Sequence, residues 1–424
     1  MYWLVESGHD LNNLKNSGYD EAYIDVLPSD DILHPLDNSI CAVYIRPLSS
    51  TKGFILPINH TDTVNVPINE VIKILQKFKK LWCQDIKSVR HYFPLPSLLG
   101  CVLPPNSFSF NKTKTHKIFK SRYPKLNDIN RIIPIVKHYE SFQEDYKNIT
   151  NSLIYNNQKY ADFYNKRVSM VYYNIERSGF GINSDIFFKH FYHREQPFVH
   201  TQYNLNTSTT RPSNKFGGVN YAALNKKTGE RSAFIPQNDY FVDFDIKAYH
   251  PVIVSHLIGY EFEDSDIHQS FANMYGVSRS KAKEITFQQF YGRIFAKYKD
   301  LSYFRVLLRK QQELYDEYQS KGYLEEPISG YRFEKGILGE MNKEKLFNYF
   351  LQATESSYNV EILEKIHEIL KGSQTKIVLT VYDSFLLDVK KGEENLLTDI
   401  QKVFRNKDLN TSINSGYDYN FKQS

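Results

Sequence analysis

Apolar and polar positions in the first third of the chain fall into short strand-like runs: Ala22–Val26, Ser39–Ile45 and Gly53–Pro57. The turn-forming segment Pro28–Asp31 separates the first two. From Ile68 to Trp82 the apolar spacing becomes helical, with a Lys-rich outer side. Polar helical sequence then fills the interval between Tyr139 and Tyr160, where no repeat, low-complexity tract or Pro/Gly-rich linker marks a boundary. This pattern predicts an α/β domain over residues 1–150 and a second domain over 151–424. In the second, a helix from Tyr160 leads to Asn174–Asn183, and Asn204–Asn214 is a polar loop rich in Thr, Ser and Asn. A strand over Tyr240–Lys247 and a helix over His250–Leu257 follow. Helices dominate Ile267–Lys321, a turn falls at Ser329–Arg332, and Lys343–Leu370 reads as one long helix. The strands Lys376–Val381 and Phe385–Val389 are joined by Tyr382, Asp383 and Ser384, a hairpin with a carboxylate at its tip.

The helical segment Arg279–Gly292 carries a second pattern on its polar side. Arg279, Lys283, Phe287 and Tyr291 fall four apart and keep to one face, drifting by about 40° per step. Two cations followed by two rings make a stripe roughly 18 Å long. A nucleoside triphosphate laid along it would set its phosphates at the cationic end and its base and sugar against the rings. Ser278 is placed to cap the helix, whose free N–H groups add to the phosphate end.

Period-two alternation in Tyr240–Lys247 puts Asp243 and Asp245 on one face and Val242, Phe244 and Ile246 on the other. An isolated Asp at a strand end is most often a solvated surface acid. Two carboxylates from separate strands, Asp245 and Asp383, can instead bridge two Mg²⁺ ions about 4 Å apart, with Mn²⁺ as a substitute. Mg²⁺ takes one or two carboxylates plus substrate phosphates, so a sparse set of ligands is expected. Metal-holding acids beside a helix with two cations and two rings are what phosphoryl transfer onto a 3′-hydroxyl requires.

Composition adds little to this. The 424 residues are 41% hydrophobic and 24% charged, with a net charge of +5, ordinary for a soluble protein of two or three domains. The Lys-, Asn-, Ile- and Tyr-heavy usage is associated with AT-rich genomes, viral or phage ones among them. Cys41, Cys83 and Cys101 show no metal or disulfide spacing, which fits a reducing compartment. No signal peptide and no apolar run of about 18 residues is visible, so an intracellular, cytoplasmic location without membrane partners is expected.

The spacing R-x3-K-x3-F-x3-Y-G over Arg279–Gly292 resembles motif B, the fingers O-helix, of family A DNA polymerases of the polymerase I type. The remaining motifs follow in the family's order. Asp245–Pro251 with Ser255–Leu257 resembles motif A, and Val381–Phe385 resembles motif C. Asn174–Ile182 resembles the segment entering the thumb, and Thr210–Ser213 with Asn220 the template-binding region. Asp266–His268 precedes the O-helix as in the family, Asn348 and Gln352 match its later N-x3-Q helix, and Ser415–Tyr419 is similar to its ending. The resemblance covers about residue 160 to the C-terminus. It implies a right-hand palm (about 160–262 and 346–424) and fingers (about 263–345). It also implies metals held by Asp245, Asp383 and the Ile246 carbonyl. Arg279, Lys283 and His268 would contact the triphosphate, and Phe287 and Tyr291 would pack on sugar and base. Arg211, Asn220, Asn348 and Gln352 would touch primer–template DNA.

Three departures qualify the resemblance. The Glu that follows the motif A Asp by five residues in the family, where it blocks the ribose 2′-hydroxyl, is His250 here. Sugar selection then rests on His250 or Tyr249, or is looser. Motif C reads Tyr382-Asp383-Ser384 instead of H-D-E, and D-S-F is also similar to single-subunit phage RNA polymerases. Phe287 favours the DNA polymerase side. Only about fifteen residues separate Asn183 from Val199, where the family inserts its thumb, so the thumb is expected to be vestigial.

The first domain resembles the family's RNase H-like 3′–5′ exonuclease domain in eroded form. Asp25 remains, but Leu27 and Val89 stand where acids are expected, the latter in Gln84–Val89. Taking Tyr139 as the last motif's anchor puts Gln143 at its acid, while a shifted register offers Asp145. A two-metal nuclease cannot work without most of its carboxylates. The expectation is a mixed α+β and α/β multidomain chain: a template-directed DNA polymerase using dNTPs and primer–template DNA, without proofreading. Weak grip on duplex calls for a processivity or replisome partner. The alternatives are an RNA polymerase or primase-like enzyme on the same fold, and a non-catalytic nucleic-acid-binding replication subunit.

Overall fold

The computed structural model describes residues 2–31, 33–83, 85–95, 98–101, 128–152, 157–191, 198–214, 218–264 and 266–421. It forms two compact units: Met1–Arg177 with Lys215–Val219, and Ser178–Asn214 with Asn220–Ser424. Among the described residues, no helix is long and apolar enough to cross a membrane.

The first unit is built on a six-stranded sheet. Its strands are β1 (Tyr2–Leu4), β2 (Glu21–Pro28), β3 (Ile40–Pro47), β4 (Gly53–Pro57), β5 (Lys80–Cys83) and β6 (Leu98–Cys101), in spatial order β1-β4-β3-β2-β5-β6. β2, β3 and β4 run antiparallel, while β5 and β6 continue parallel to β2. β3 and β4 read as near-continuous apolar runs because both of their faces are covered. The helix expected over Ile68–Trp82 is shorter, α1 (Ile68–Leu75). The chain turns at Lys77 and Phe78 through N–H bonds to the carbonyls of Ile74 and Leu75, then enters β5. Leu81, inside the expected helix, is buried on that strand instead. Asp25 and Leu27 lie on β2 and Val89 on α2 (Ile86–Tyr92). Gln84 and the side chain of Asp145 lie outside the described residues, as does the side chain of Cys101. Cys41 and Cys83 are buried.

The second unit is centred on a four-stranded antiparallel sheet of β7 (Tyr240–Ile246), β8 (Lys376–Val381), β9 (Ser384–Val389) and β10 (Thr411–Gly416), ordered β8-β9-β7-β10. Val242, Phe244 and Ile246 face a core where Phe404 meets Phe244 and Phe385 at 5.5 and 5.3 Å between ring centroids. Four helices matter for the site: α3 (Tyr249–Ile258), α4 (Ile267–Tyr275), α5 (Arg279–Tyr291) and α6 (Lys343–Ile369). α6, at 27 residues, is buried along much of its length. Between Asn183 and Val199 the described structure is one helix, Ser184–His190, and the short strand Phe198–Val199.

Candidate active site

Asp245 and Asp383 meet at one end of the sheet because β7 and β9 pair in register. Asp245 lies opposite Ser384, and the Ile246 N–H donates to the Asp383 carbonyl at 2.8 Å. The hairpin tip holds Tyr382 at φ 59°, a left-handed conformation that costs a non-glycine residue about 1 kcal/mol. Two contacts hold it there. Its carbonyl accepts from Asn359 Nδ2 at 2.9 Å, and the Arg211 guanidinium lies 3.8 Å from its ring centroid. Asn359, on α6, also accepts from the Tyr249 hydroxyl at 2.8 Å. One side-chain amide therefore joins the strand–helix turn after Asp245 to the turn that carries Asp383. That strand–helix turn passes through Ala248, also left-handed at φ 52°, and sets Tyr249, His250 and Pro251 in the first turn of α3. Pro251 costs no hydrogen bond there, because first-turn N–H groups have no partner within the helix.

A cleft of about 250 Å³ opens over these carboxylates. Asp245, Ile246, His250, Arg211 and Asp383 line it from the sheet side, and His268, Arg279, Lys283 and Phe287 from α4 and α5. Helix α5 divides cleanly: Ala282, Ile285, Thr286, Gln289 and Phe290 are buried, while Arg279, Lys283 and Phe287 are exposed. Ser278 caps it by accepting from the Lys281 N–H. Gly292 ends it; a Cβ there would come within 2.6 Å of the Gln288 carbonyl oxygen. The Tyr275 hydroxyl of α4 meets Thr286 at 3.2 Å and accepts from Gln289 at 3.0 Å, fixing one helix on the other.

The charges in the cleft are unevenly satisfied. Asp383 is pushed up to about 6, by burial first and then by the neighbouring charge of Asp245. Asp243, which accepts from Ser384 at 2.6 Å, is also raised, again chiefly by burial. Arg279 donates to both oxygens of Asp266, at 2.7 and 3.3 Å, in a half-exposed pair that an incoming anion would have to compete with. Lys283 stands 5.9 Å from the Phe287 ring centroid. His268 is 6% exposed, and its Nδ1 has no hydrogen-bond partner among the described residues. Burial, then Lys283 and Arg279, lowers its pKa, so it is a neutral imidazole at pH 7.

The cleft thus gathers Asp245, Ile246, Asp383, His250, His268, Arg279, Lys283, Phe287 and Arg211. Tyr291 closes α5, with its side chain outside the described ones. Asn348 and Gln352 are half-buried on α6 and Asn220 is exposed; none of the three lines the cleft. Glu355, which does line it, carries no motif in the sequence reading. Its one signal was spacing: Asn348, Gln352, Glu355 and Asn359 fall four, three and four apart, within about 60° on one helical face.

Two neighbouring carboxylates, of which Asp383 is raised by burial and by the charge of Asp245, fit a divalent cation, which would relieve their repulsion. Among the described residues of the first unit, a different cluster also has metal-ligand types: His34, His91 and Glu176. Its hydrogen bonding argues against an ion. Lys87 Nζ already lies 2.6 Å from Glu176 Oε1, and His91 Nε2 lies 2.9 Å from Oε2. His34 Nδ1 accepts from the Leu36 N–H, which leaves its proton on Nε2, 3.5 Å from Oε2. The cluster reads as a buried Lys87–Glu176 ion pair, with His91 hydrogen-bonded to Glu176 and His34 beside it.

No family model matches the sequence, and no curated protein does. Among solved structures the chain is similar to the POL domain of Pol1 from M. smegmatis, in complex with DNA primer-template and dNTP. The TM-score is 0.68 at 13% identity, over 99% of this chain and 99% of that one. The fold is that of a polymerase domain.

Proposed function

We propose that the chain is a template-directed DNA polymerase of the family A type, adding dNTPs to a primer 3′-hydroxyl. The observation that carries this is the single cleft in which Asp245 and Asp383 face Arg279, Lys283, Phe287 and the unpartnered His268. A likeness of fold to a polymerase domain seen with primer-template and dNTP supports it.

On this reading Asp245, Asp383 and the Ile246 carbonyl hold Mg²⁺ or Mn²⁺. When bound, such ions lower the pKa of the attacking hydroxyl and stabilise the leaving pyrophosphate. Arg279 and Lys283 neutralise charge that builds on the phosphates, and His268 donates a hydrogen bond to them. Arg279 must exchange Asp266 for phosphate to do so. Phe287 offers its exposed face to sugar or base. Asn359 holds both carboxylate-bearing turns at fixed spacing, which is the positioning that in-line transfer needs. Asn348, Gln352 and Asn220 stay assigned to the duplex, away from the cleft. The fingers and most of the palm are read onto the second unit, with the palm's opening stretch, about 160–177, in the first. The first unit is read as an eroded exonuclease-like domain, supported by its mixed sheet and by Leu27 and Val89 in acid positions. The short span after Asn183 supports a vestigial thumb and a partner that confers processivity.

The test is primer extension on a defined template with Mg²⁺ and either dNTPs or rNTPs. Template-directed extension by wild type, absent in Asp245→Ala and Asp383→Ala, is expected; robust synthesis by either variant overturns the assignment. The second reading, RNA synthesis, rests on His250 and on Ser384 after the motif C Asp, and strong dNTP preference excludes it.

A further inference from the structure

Glu355 is a carboxylate that this mechanism leaves without a task. It is 1% exposed, yet its oxygens reach two residues of the cleft. Oε1 accepts from an Arg211 Nη at 3.0 Å, and Oε2 lies 2.6 Å from His250 Nε2. Burial alone would favour its neutral form, but His250 and Arg211 outweigh burial and hold it below the usual carboxylate range. Arg211 comes from the loop between Tyr203–Asn204 and Ser213–Asn214, which the Tyr203 hydroxyl anchors to the Thr380 backbone on β8. Its guanidinium lies over the ring of Tyr382, one residue from Asp383, and its side chain is 23% exposed. Although Arg211, Asp245 and Asp383 line the same cleft, the guanidinium pairs with Glu355 and makes no ion pair with either Asp.

We propose that Glu355 is a positioning residue that ties Arg211 and His250 back, keeping the guanidinium off Asp245 and Asp383 and leaving those carboxylates open to divalent cations. Guanidinium and carboxylate fit each other in a two-pronged pair, and a guanidinium cannot lose its charge. Without the Glu355 charge, the two Asp are the remaining anions within the cleft, and Arg211 has the exposure to turn toward them. It would then occupy the oxygens a cation needs. This inference rests on reading Asp245 and Asp383 as the metal-holding pair.

The experiment measures Mn²⁺ binding to the full chain without nucleic acid or nucleotide, by the paramagnetic resonance signal of free Mn²⁺. Thermal unfolding is followed alongside to verify that each variant is folded. E355Q keeps the shape and removes the charge, and is expected to bind about tenfold more weakly than wild type. R211M/E355Q, which lacks the competing guanidinium, is expected to bind about as tightly as wild type. Wild-type affinity in E355Q, or a double variant as weak as E355Q, overturns the proposal. Unchanged binding in D245N/D383N instead overturns the metal reading beneath it, so the two failures are told apart.

Discussion

The Asn359 side chain bonds at one end to the Tyr249 hydroxyl and at the other to the Tyr382 carbonyl, so a single amide spans both acidic turns of the cleft. The residue is 4% exposed. Asn359→Leu, of similar size, should destabilise the protein by about 1–3 kcal/mol. It should also lower kcat for primer extension more than it raises the nucleotide KM, since Tyr382 then loses one of its two restraints. Thermal unfolding and steady-state kinetics check both.

Asp245→Asn and Asp383→Asn should each cut primer extension by about a thousandfold or more, the scale of losing a principal electrostatic stabiliser. In the absence of metal, Asp383→Asn should raise Tm. Its carboxyl titrates at about 6 against an ordinary 3.8, so its ionised form at neutral pH weakens the fold. Thermal unfolding in EDTA at pH 7.5 measures the effect.

Lys283→Ala should raise the dNTP KM by about tenfold or more, as expected for losing one charge-assisted contact to phosphate. Arg279→Ala should do less at the level of binding, because wild-type Arg279 must first release Asp266. Steady-state kinetics on the two variants test the ordering.

His250→Glu would give this chain the residue that the family pattern carries at this position. The structure predicts harm instead of restoration. His250 already sits 2.6 Å from a buried carboxylate, and two acids in hydrogen-bond contact cannot both ionise. The variant should unfold at lower temperature than wild type and extend primers more slowly at pH 8 than at pH 6. His250→Gln, which keeps a donor toward Glu355, should be the milder change.

In the first unit, acid should be the weak side. Glu176 lies well below its ordinary value: burial opposes ionisation, but Lys87, His34 and His91 overcome it. Burial lowers His91 too, against the pull of Glu176, with Lys87 adding to the burial effect and Asp85 opposing it. A group held below its unfolded pKa stabilises the fold above that unfolded value and stops doing so as pH falls through the folded one. Tm should therefore begin to fall near pH 6.5 as His91 is drawn toward protonation, and fall further below about 4.5 as Glu176 follows. Glu176→Gln should cost about 3–5 kcal/mol at neutral pH by stranding the Lys87 charge. Unfolding followed from pH 8 to pH 4 distinguishes these effects.

Much of the site was legible because it is written in short-range spacing. The alternation through Asp243 and Asp245 marks a strand with one acidic face, and the steps of four in α5 mark its exposed stripe. Both patterns depend only on local geometry. Glu355 and Asn359 were not legible, although their spacing along α6 is regular. A polar residue on a buried helix announces that it has a partner but not which one, and His250 and Tyr249 lie more than a hundred positions away. The overlong helix at Ile68–Trp82 fails for a related reason. Leu81 sits on a strand that pairs with Ala22 on β2, a distant partner that local apolar spacing cannot report.

The left-handed backbone at Tyr382 and the guanidinium above its ring set two demands that no common residue, tyrosine included, meets together. Glycine would remove the backbone strain but also the platform beneath Arg211; phenylalanine would keep the platform and the strain. Replacements selected at this position should therefore divide between those that relax the turn and those that preserve the ring. Only the aromatic group should leave Arg211 where it is now.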